Sequence, residues 1–223
     1  MVRVEERAEG DTDLYVDALA AVASGLAASQ SSLAAERLQP IAGRIWHGRL
    51  SRPRSKDGAS TDGAPRGIAM RGRERDVTPR KRAEVFIRDG FCCAYCGGRV
   101  IPLPVLVAIS DVFPEGLPYH AYYKSGHIHP AFWFVAPEVD HVLAHASGGT
   151  GELENLATLH SACNAMKADV PITDLPPVER AKRVDGWDGL LSLYPGVVAA
   201  GETYGTRHHA ARYHTDWLRY FGL

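Results

Sequence analysis

The chain has 223 residues, 45% hydrophobic and 23% charged, with a formal net charge of −1. That composition is globular and excludes wholesale disorder, a uniformly basic nucleic-acid coat and a strongly acidic tail. No run approaches the roughly 18 consecutive apolar residues of a membrane-spanning helix, and the charged opening MVRVEERAEGDTD lacks the apolar core of a signal peptide. Four cysteines without an export signal read as reduced thiols in a cytoplasmic chain with no membrane partner.

Charge is unevenly spread. Residues 1–43 carry net −4, residues 44–99 net +8 and residues 100–223 net −5. The positive charge concentrates at Arg71, Arg73, Arg75, Arg80, Lys81 and Arg82. Such a run can neutralise nucleic-acid phosphates or can be a solvated linker, and charge alone leaves both open.

In chain order, the Ala- and Leu-rich stretch from Asp13 to about Gln39 places Leu14, Ala18, Leu19, Val22 and Leu26 near helical spacing. It predicts one or two helices in an accessory hairpin, within an N-terminal extension spanning residues 1–50. Residues 51–77 hold Ser, Gly, Pro and charge without apolar periodicity, and read as a flexible basic linker. Thr78-Pro79 then opens a helix, a capping hydroxyl followed by proline at the first helical position. Phe86 and Ile87 anchor it, and Asp89-Gly90 ends it. Residues 101–137 form an insertion rich in aromatics and in prolines (Pro102, Pro104, Pro114, Pro118, Pro130) that impose a fixed loop path. A small packed subdomain covering the core is expected there, with base stacking by its aromatics as the alternative. Residues 171–223 form a C-terminal helical extension. Its prolines break the chain, a short helix lies around Val178–Arg183, and Ala210, Tyr213, Trp217 and Tyr220 recur at helical spacing as a packing stripe. His208 and His209 beside that stripe read as solvated.

Cys93-x-x-Cys96 lies in FCCAYCGG, where the turn aims two thiolates at one point and Gly97-Gly98 permit a tight return. The same spacing serves redox chemistry. His160-x-x-Cys163, at the start of a helix, supplies one nitrogen and a third sulfur. The four match a closed tetrahedral Zn²⁺ site, structural by default because no position is left for a catalytic water. A buried thiol cluster or a redox pair is the alternative, though the thioredoxin-like βαβ context of a redox motif is missing. Cys92 reads as a small packed residue.

Between the two half-sites, Asp140-His141 ends a short strand, a Ser-Gly-Gly-Thr-Gly loop follows, Asn155 leads the strand LATL, and Asn164 stands on the helix after Cys163. A ββα hairpin can gather Asp140, His141 and Asn164 around one point. Carboxylate and amide oxygens are the hard donors Mg²⁺ prefers, and an imidazole beside the ion can take a proton from an attacking water. Phosphodiester hydrolysis suits these groups. Asn155 is placed to fix the loop by hydrogen bonding to backbone.

These residues resemble an HNH endonuclease of the zinc-containing ββα-metal type. The pattern is Asp140-His141, then Asn155, then Cys163-Asn164-x-x-Lys167, preceded by the lead-in VFIRDGFCCAYCG. The resemblance implies an α+β fold whose ββα-metal core, residues 78–170, is stapled by structural zinc on Cys93, Cys96, His160 and Cys163. It implies metal-dependent hydrolysis of DNA, with His141 as general base, Asp140 and Asn164 holding Mg²⁺ or Mn²⁺, and Asn155 positioning the loop. Arg71, Arg73, Arg75, Arg80, Lys81, Arg82 and Lys167 are the expected DNA contacts. The chain departs from the family pattern in three places. His160 replaces a usual cysteine, His145 replaces a proline four residues after the catalytic histidine and reads as a loop residue, with a second metal ligand as the alternative, and Asn164 stands in the last position in place of histidine. A non-cleaving, zinc-stapled nucleic-acid-binding module is the alternative, and a module of that kind has no need of Asp140, His141 and Asn164 together. Oligomeric state is left open.

Overall fold

In the computed structural model, which describes residues 9–47, 77–143, 149–168 and 183–223, the N-terminal stretch forms two helices, α1 (Glu9–Ala27) and α2 (Ser31–Leu38). Tyr15, Val16, Leu19, Val22, Ala23 and Leu26 form the buried stripe of α1, while Leu14, expected on that stripe, is exposed. Gly25 lets α2 approach closely, since a Cβ there would stand 3.1 Å from the Cβ of Ala34. The pair is no accessory hairpin. Its apolar face belongs to the same buried cluster that runs through to Phe221 near the C-terminus.

Helix α3 (Pro79–Arg88) has the expected ends. The Thr78 hydroxyl accepts from the Lys81 N–H at 3.3 Å, Pro79 occupies the first turn, and Gly90 turns the chain away at φ +63°. Its anchors are Ala83, Val85 and Phe86; Ile87, expected beside Phe86, is exposed.

The insertion departs most from expectation. Leu103–Val112 is a helix, α4, and every residue from Pro104 to Asp111 is buried. It packs against α7 (Tyr194–Tyr204) and α8 (Arg212–Phe221), so this helix is part of the common buried core. A run that is apolar all round suits a helix enclosed on every side. Pro104 sits in the first turn, where its missing N–H would have had no intrahelical partner. Phe132 and Trp133, in the short helix α5 (Ala131–Phe134), are buried too, whereas Tyr122 is 86% exposed.

Strands β1 (Pro137–His141) and β2 (Leu156–His160) pair antiparallel with Pro137 opposite His160 and His141 opposite Leu156, and α6 (Ser161–Ala168) follows directly. This is the expected ββα unit in an α+β chain with helices at both termini. Helix α3 packs on both strands from one side.

The C-terminal histidines are not solvated. His208 Nε2 lies 2.9 Å from Ser110 Oγ, His209 Nε2 lies 3.1 Å from the Tyr119 hydroxyl, and His214 bridges Asp111 (2.9 Å) and Tyr194 (2.7 Å). Buried Asp111 on α4 thus draws the tail onto the core. Tyr213, Trp217 and Tyr220 pack as expected, and Ala210 is exposed. Nearly all of the basic linker (51–77) and of the helix expected around Val178–Arg183 lies outside the described residues. Among the described residues no helix is long and apolar enough to cross a membrane.

Candidate active site and metal centre

The Cys-x-x-Cys turn is closed by two backbone bonds, Cys93 N–H to Gly98 O and Gly97 N–H to Cys93 O, both 2.8 Å, with Gly97 at φ +71°. A side chain at residue 98 would crowd the cluster, because a Cβ would stand 3.0 Å from the His160 ring and 3.3 Å from Cys96 Sγ. The Ala94 N–H donates to Thr158 O of β2, which seats the turn against the strand that ends in His160.

One ligand atom each from Cys93, Cys96, His160 and Cys163 lies within 4.8 Å of all the others. Cys93 Sγ to Cys163 Sγ is 3.5 Å, Cys163 Sγ to Cys96 Sγ 3.8 Å, Cys96 Sγ to His160 Nδ1 3.3 Å and Cys163 Sγ to His160 Nδ1 3.8 Å. A tetrahedron with metal–sulfur bonds of about 2.3 Å has edges of about 3.8 Å, so the four donors fit a zinc-sized ion. The imidazole is oriented for it. His160 Nε2 lies 3.0 Å from Arg99 O, and a carbonyl can only accept, so Nε2 carries a proton and Nδ1 faces the sulfurs. Hydrogen bonds with Cys163 and Cys93 drive the Cys96 thiol far below its ordinary value, and hydrogen bonds with Cys93 and Cys96 drive Cys163 far up. Burial opposes a charge on His160, yet Cys93 and Cys96 outweigh it and hold the ring up at about 10. Cys93 and Cys96, both lowered, carry negative charge that a cation would balance. Cys92 is buried, and burial raises its thiol, as suits a packing residue.

Strand alternation puts Glu138 and Asp140 on the face of the hairpin opposite His160. Asp140 Oδ1 is 3.9 Å from His141 Nδ1 at the end of β1. From α6, the Asn164 side-chain amide donates to Glu138 Oε2, so α6 crosses the face that carries Glu138 and Asp140. Glu138 was not singled out in the sequence, although its place two residues before Asp140 in a strand was a readable signal.

Asn155 closes the loop between the strands. Its Oδ1 accepts from Leu143 N–H (2.8 Å), and its Nδ2 donates to Leu143 O (3.1 Å) and Thr150 O (2.7 Å). Gly149 is obligatory there, because a Cβ would fall 1.8 Å from Leu143 O. His145 lies outside the described residues.

Arg88 and Asp89, at the end of α3 and inside the lead-in VFIRDGFCCAYCG, brace this unit. Arg88 donates to the carbonyls of Leu153 and Leu156 and to Asp89 Oδ1, and Asp89 Oδ2 accepts from the Thr158 N–H at 2.8 Å. Among the expected DNA contacts, Arg80 is exposed beside Glu84 (3.4 Å), Lys81 Nζ donates to Gly151 O (2.9 Å) and Arg82 Nε to Val77 O (3.1 Å). Lys81 therefore ties α3 to the interstrand loop. Arg71, Arg73, Arg75 and the side chain of Lys167 lie outside the described residues.

Residues 125–169 match the family model of the HNH endonuclease. That span covers both strands, the loop and α6, and the second half of the metal cluster. Comparison with curated proteins and with solved structures returned no match.

Proposed function

We propose that the chain is a metal-dependent endonuclease that hydrolyses DNA phosphodiester bonds. The observation that carries this is a single ββα unit bearing Asp140, His141, Asn155 and Asn164 within a segment that matches the HNH model, beside a separate sulfur-rich cluster. The soft cluster of Cys93, Cys96, His160 and Cys163 suits structural zinc, with every ligand supplied by protein. Asp140 and Asn164 offer hard oxygens, which suit Mg²⁺ or Mn²⁺. Bound there, such an ion supplies charge stabilisation to the scissile phosphate and to the leaving 3′-oxygen.

His141 takes the proton of the attacking water, since an imidazole exchanges protons near neutral pH. It stands at the end of β1, where Asp140 lies beside it and the Asn155-clamped loop begins. Asn155 holds the two ends of that loop so that His141 keeps one orientation. Arg80, Lys81 and Arg82, with Arg71, Arg73, Arg75 and Lys167, bind phosphates along the duplex. Residues 78–170 are the nuclease unit, and the helices before and after it are extensions whose apolar faces complete its core.

The test is supercoiled plasmid incubated with the purified chain and Mg²⁺ or Mn²⁺, with and without EDTA. Cleavage that EDTA abolishes, and that falls about 10²–10⁴-fold in His141→Ala with DNA binding retained, is expected. DNA binding without metal-dependent cleavage would assign the chain to the non-cleaving modules instead.

A further inference from the structure

The hydrogen bond from Asn164 to Glu138 fixes more than a packing contact. A carboxylate has acceptor sites and no proton to give, so the amide atom that faces it is the NH₂ group. The carbonyl oxygen of Asn164 then points away from Glu138. Without such a partner the terminal torsion of an asparagine is broad and close to two-fold, and the NH₂ and oxygen exchange places easily. An NH₂ group cannot ligate a hard cation, whereas the oxygen can. Which end of the amide is presented therefore decides whether Asn164 is a ligand at all.

Glu138 is well placed to make that decision. It shares a strand face with Asp140, about 7 Å along the strand at two residues' separation. It is half-buried, and Tyr123 from the insertion lies near it, its phenol raised by burial first and by the Glu138 charge second. Tyr123 adopts a left-handed backbone at φ +51°, uncommon for an aromatic residue.

We propose that Glu138 is a positioning residue, which locks the Asn164 amide so that its oxygen, and not its nitrogen, faces the divalent cation on Asp140. The proposal rests on the nuclease function above. Glu138 needs no contact with the ion or the DNA; it acts through Asn164. Partners of this kind behind a metal ligand typically matter by 10–100-fold in metal affinity.

Glu138→Gln tests this with little change of shape. A glutamine offers both an NH₂ and a carbonyl, so Asn164 can bind it either way round and the orientation is lost. The probe is Mn²⁺ alone, titrated against the full chain and followed by the electron spin resonance of the free ion. Zinc content and thermal melting are measured alongside, and plasmid nicking is measured against Mg²⁺ concentration. Glu138→Gln is expected to weaken Mn²⁺ binding about ten-fold or more and to move nicking to higher Mg²⁺, with zinc and melting unchanged. In an Asn164→Ala background the same substitution is expected to change Mn²⁺ affinity by less than about two-fold, because its only route of action is gone. The exchanged pair Glu138→Gln with Asn164→Asp is expected to recover binding to within about three-fold. In that pair the strand side chain becomes the amide and donates to one oxygen of the new carboxylate on α6, which leaves the other oxygen for the ion.

Unchanged Mn²⁺ affinity in Glu138→Gln overturns the proposal. So does an equal loss in the Asn164→Ala background, which would make Glu138 act by its own charge or as a ligand. An exchanged pair no better than Glu138→Gln alone also overturns it. If the wild type binds Mn²⁺ and nicks DNA, and Asp140→Ala abolishes both, failure of the Glu138 variants removes the positioning role alone. A wild type that neither binds Mn²⁺ nor nicks removes the nuclease function, and this role with it.

Discussion

Asn155→Ala deletes the clamp on the interstrand loop and should separate loop order from global stability. Three side-chain hydrogen bonds disappear, one accepted from Leu143 N–H and two donated, to Leu143 O and Thr150 O. At about 0.5–1 kcal/mol net for each, the closed loop loses about 1.5–3 kcal/mol, which raises its open population roughly 10- to 150-fold. The cost is local, because the strands keep their own ladder and the Arg88–Asp89 brace is untouched. Amide hydrogen exchange at Leu143 should accelerate by at least about ten-fold, while the melting transition moves little. Metal-dependent nicking should fall with it, because His141 stands two residues before Leu143. Asn155→Asp sharpens the test. It keeps an acceptor for the Leu143 N–H but aims carboxylate oxygens at the carbonyls of Leu143 and Thr150, so it should perform no better than alanine. Full protection and wild-type nicking in Asn155→Asp would refute the clamp.

Cys96→Ser should lose the ion of the sulfur cluster and unfold the ββα unit, since structural zinc contributes about 10–16 kcal/mol of apparent binding energy in small peptides. Metal analysis should find about one zinc per chain in the wild type, and full occupancy in Cys96→Ser would remove the cluster as a zinc site. Burial pushes His129 down to about 4, and its neutral ring accepts from the Ala131 N–H and lies 2.7 Å from Ile41 O. Its folded value is depressed, so its contribution is whole above about pH 6.5 and drains away as pH falls towards 4, by about 3 kcal/mol in all. Denaturant titrations should show the wild type losing that much more than His129→Gln over this window; parallel pH profiles would contradict the assignment. Arg80→Ala, the substitution in the basic helix with the least structural consequence, should shallow the log–log salt dependence of DNA binding by about 0.9. An unchanged slope would make Arg80 a solvated side chain.

The parts legible in the sequence are those whose geometry is local. Thr78 and Pro79 announce a helix start because a cap needs only the next three residues, and Gly90 announces its end because one positive φ suffices. Cys93 and Cys96 meet on a single turn, and Asp140 and Asn155 mark strand ends by composition alone. Even the metal cluster, joined across more than sixty residues, was legible because each half is itself a short motif.

What depended on tertiary structure is which surfaces face each other. Leu103–Val112 carries a proline in its first turn and no helical periodicity, because a helix buried on all sides has no exposed polar face to reveal it. The depth of α1 and the pairing of His208, His209 and His214 with α4 likewise require partners far away in the chain. Glu138 is the sharpest case. Strand alternation put it beside Asp140, but its partner Asn164 is 26 residues on, and only the packing of α6 across that face makes a strand carboxylate the group that orients the amide. Short motifs are written in the covalent neighbourhood. The orientation of a side chain by another comes from packing, which no local spacing records.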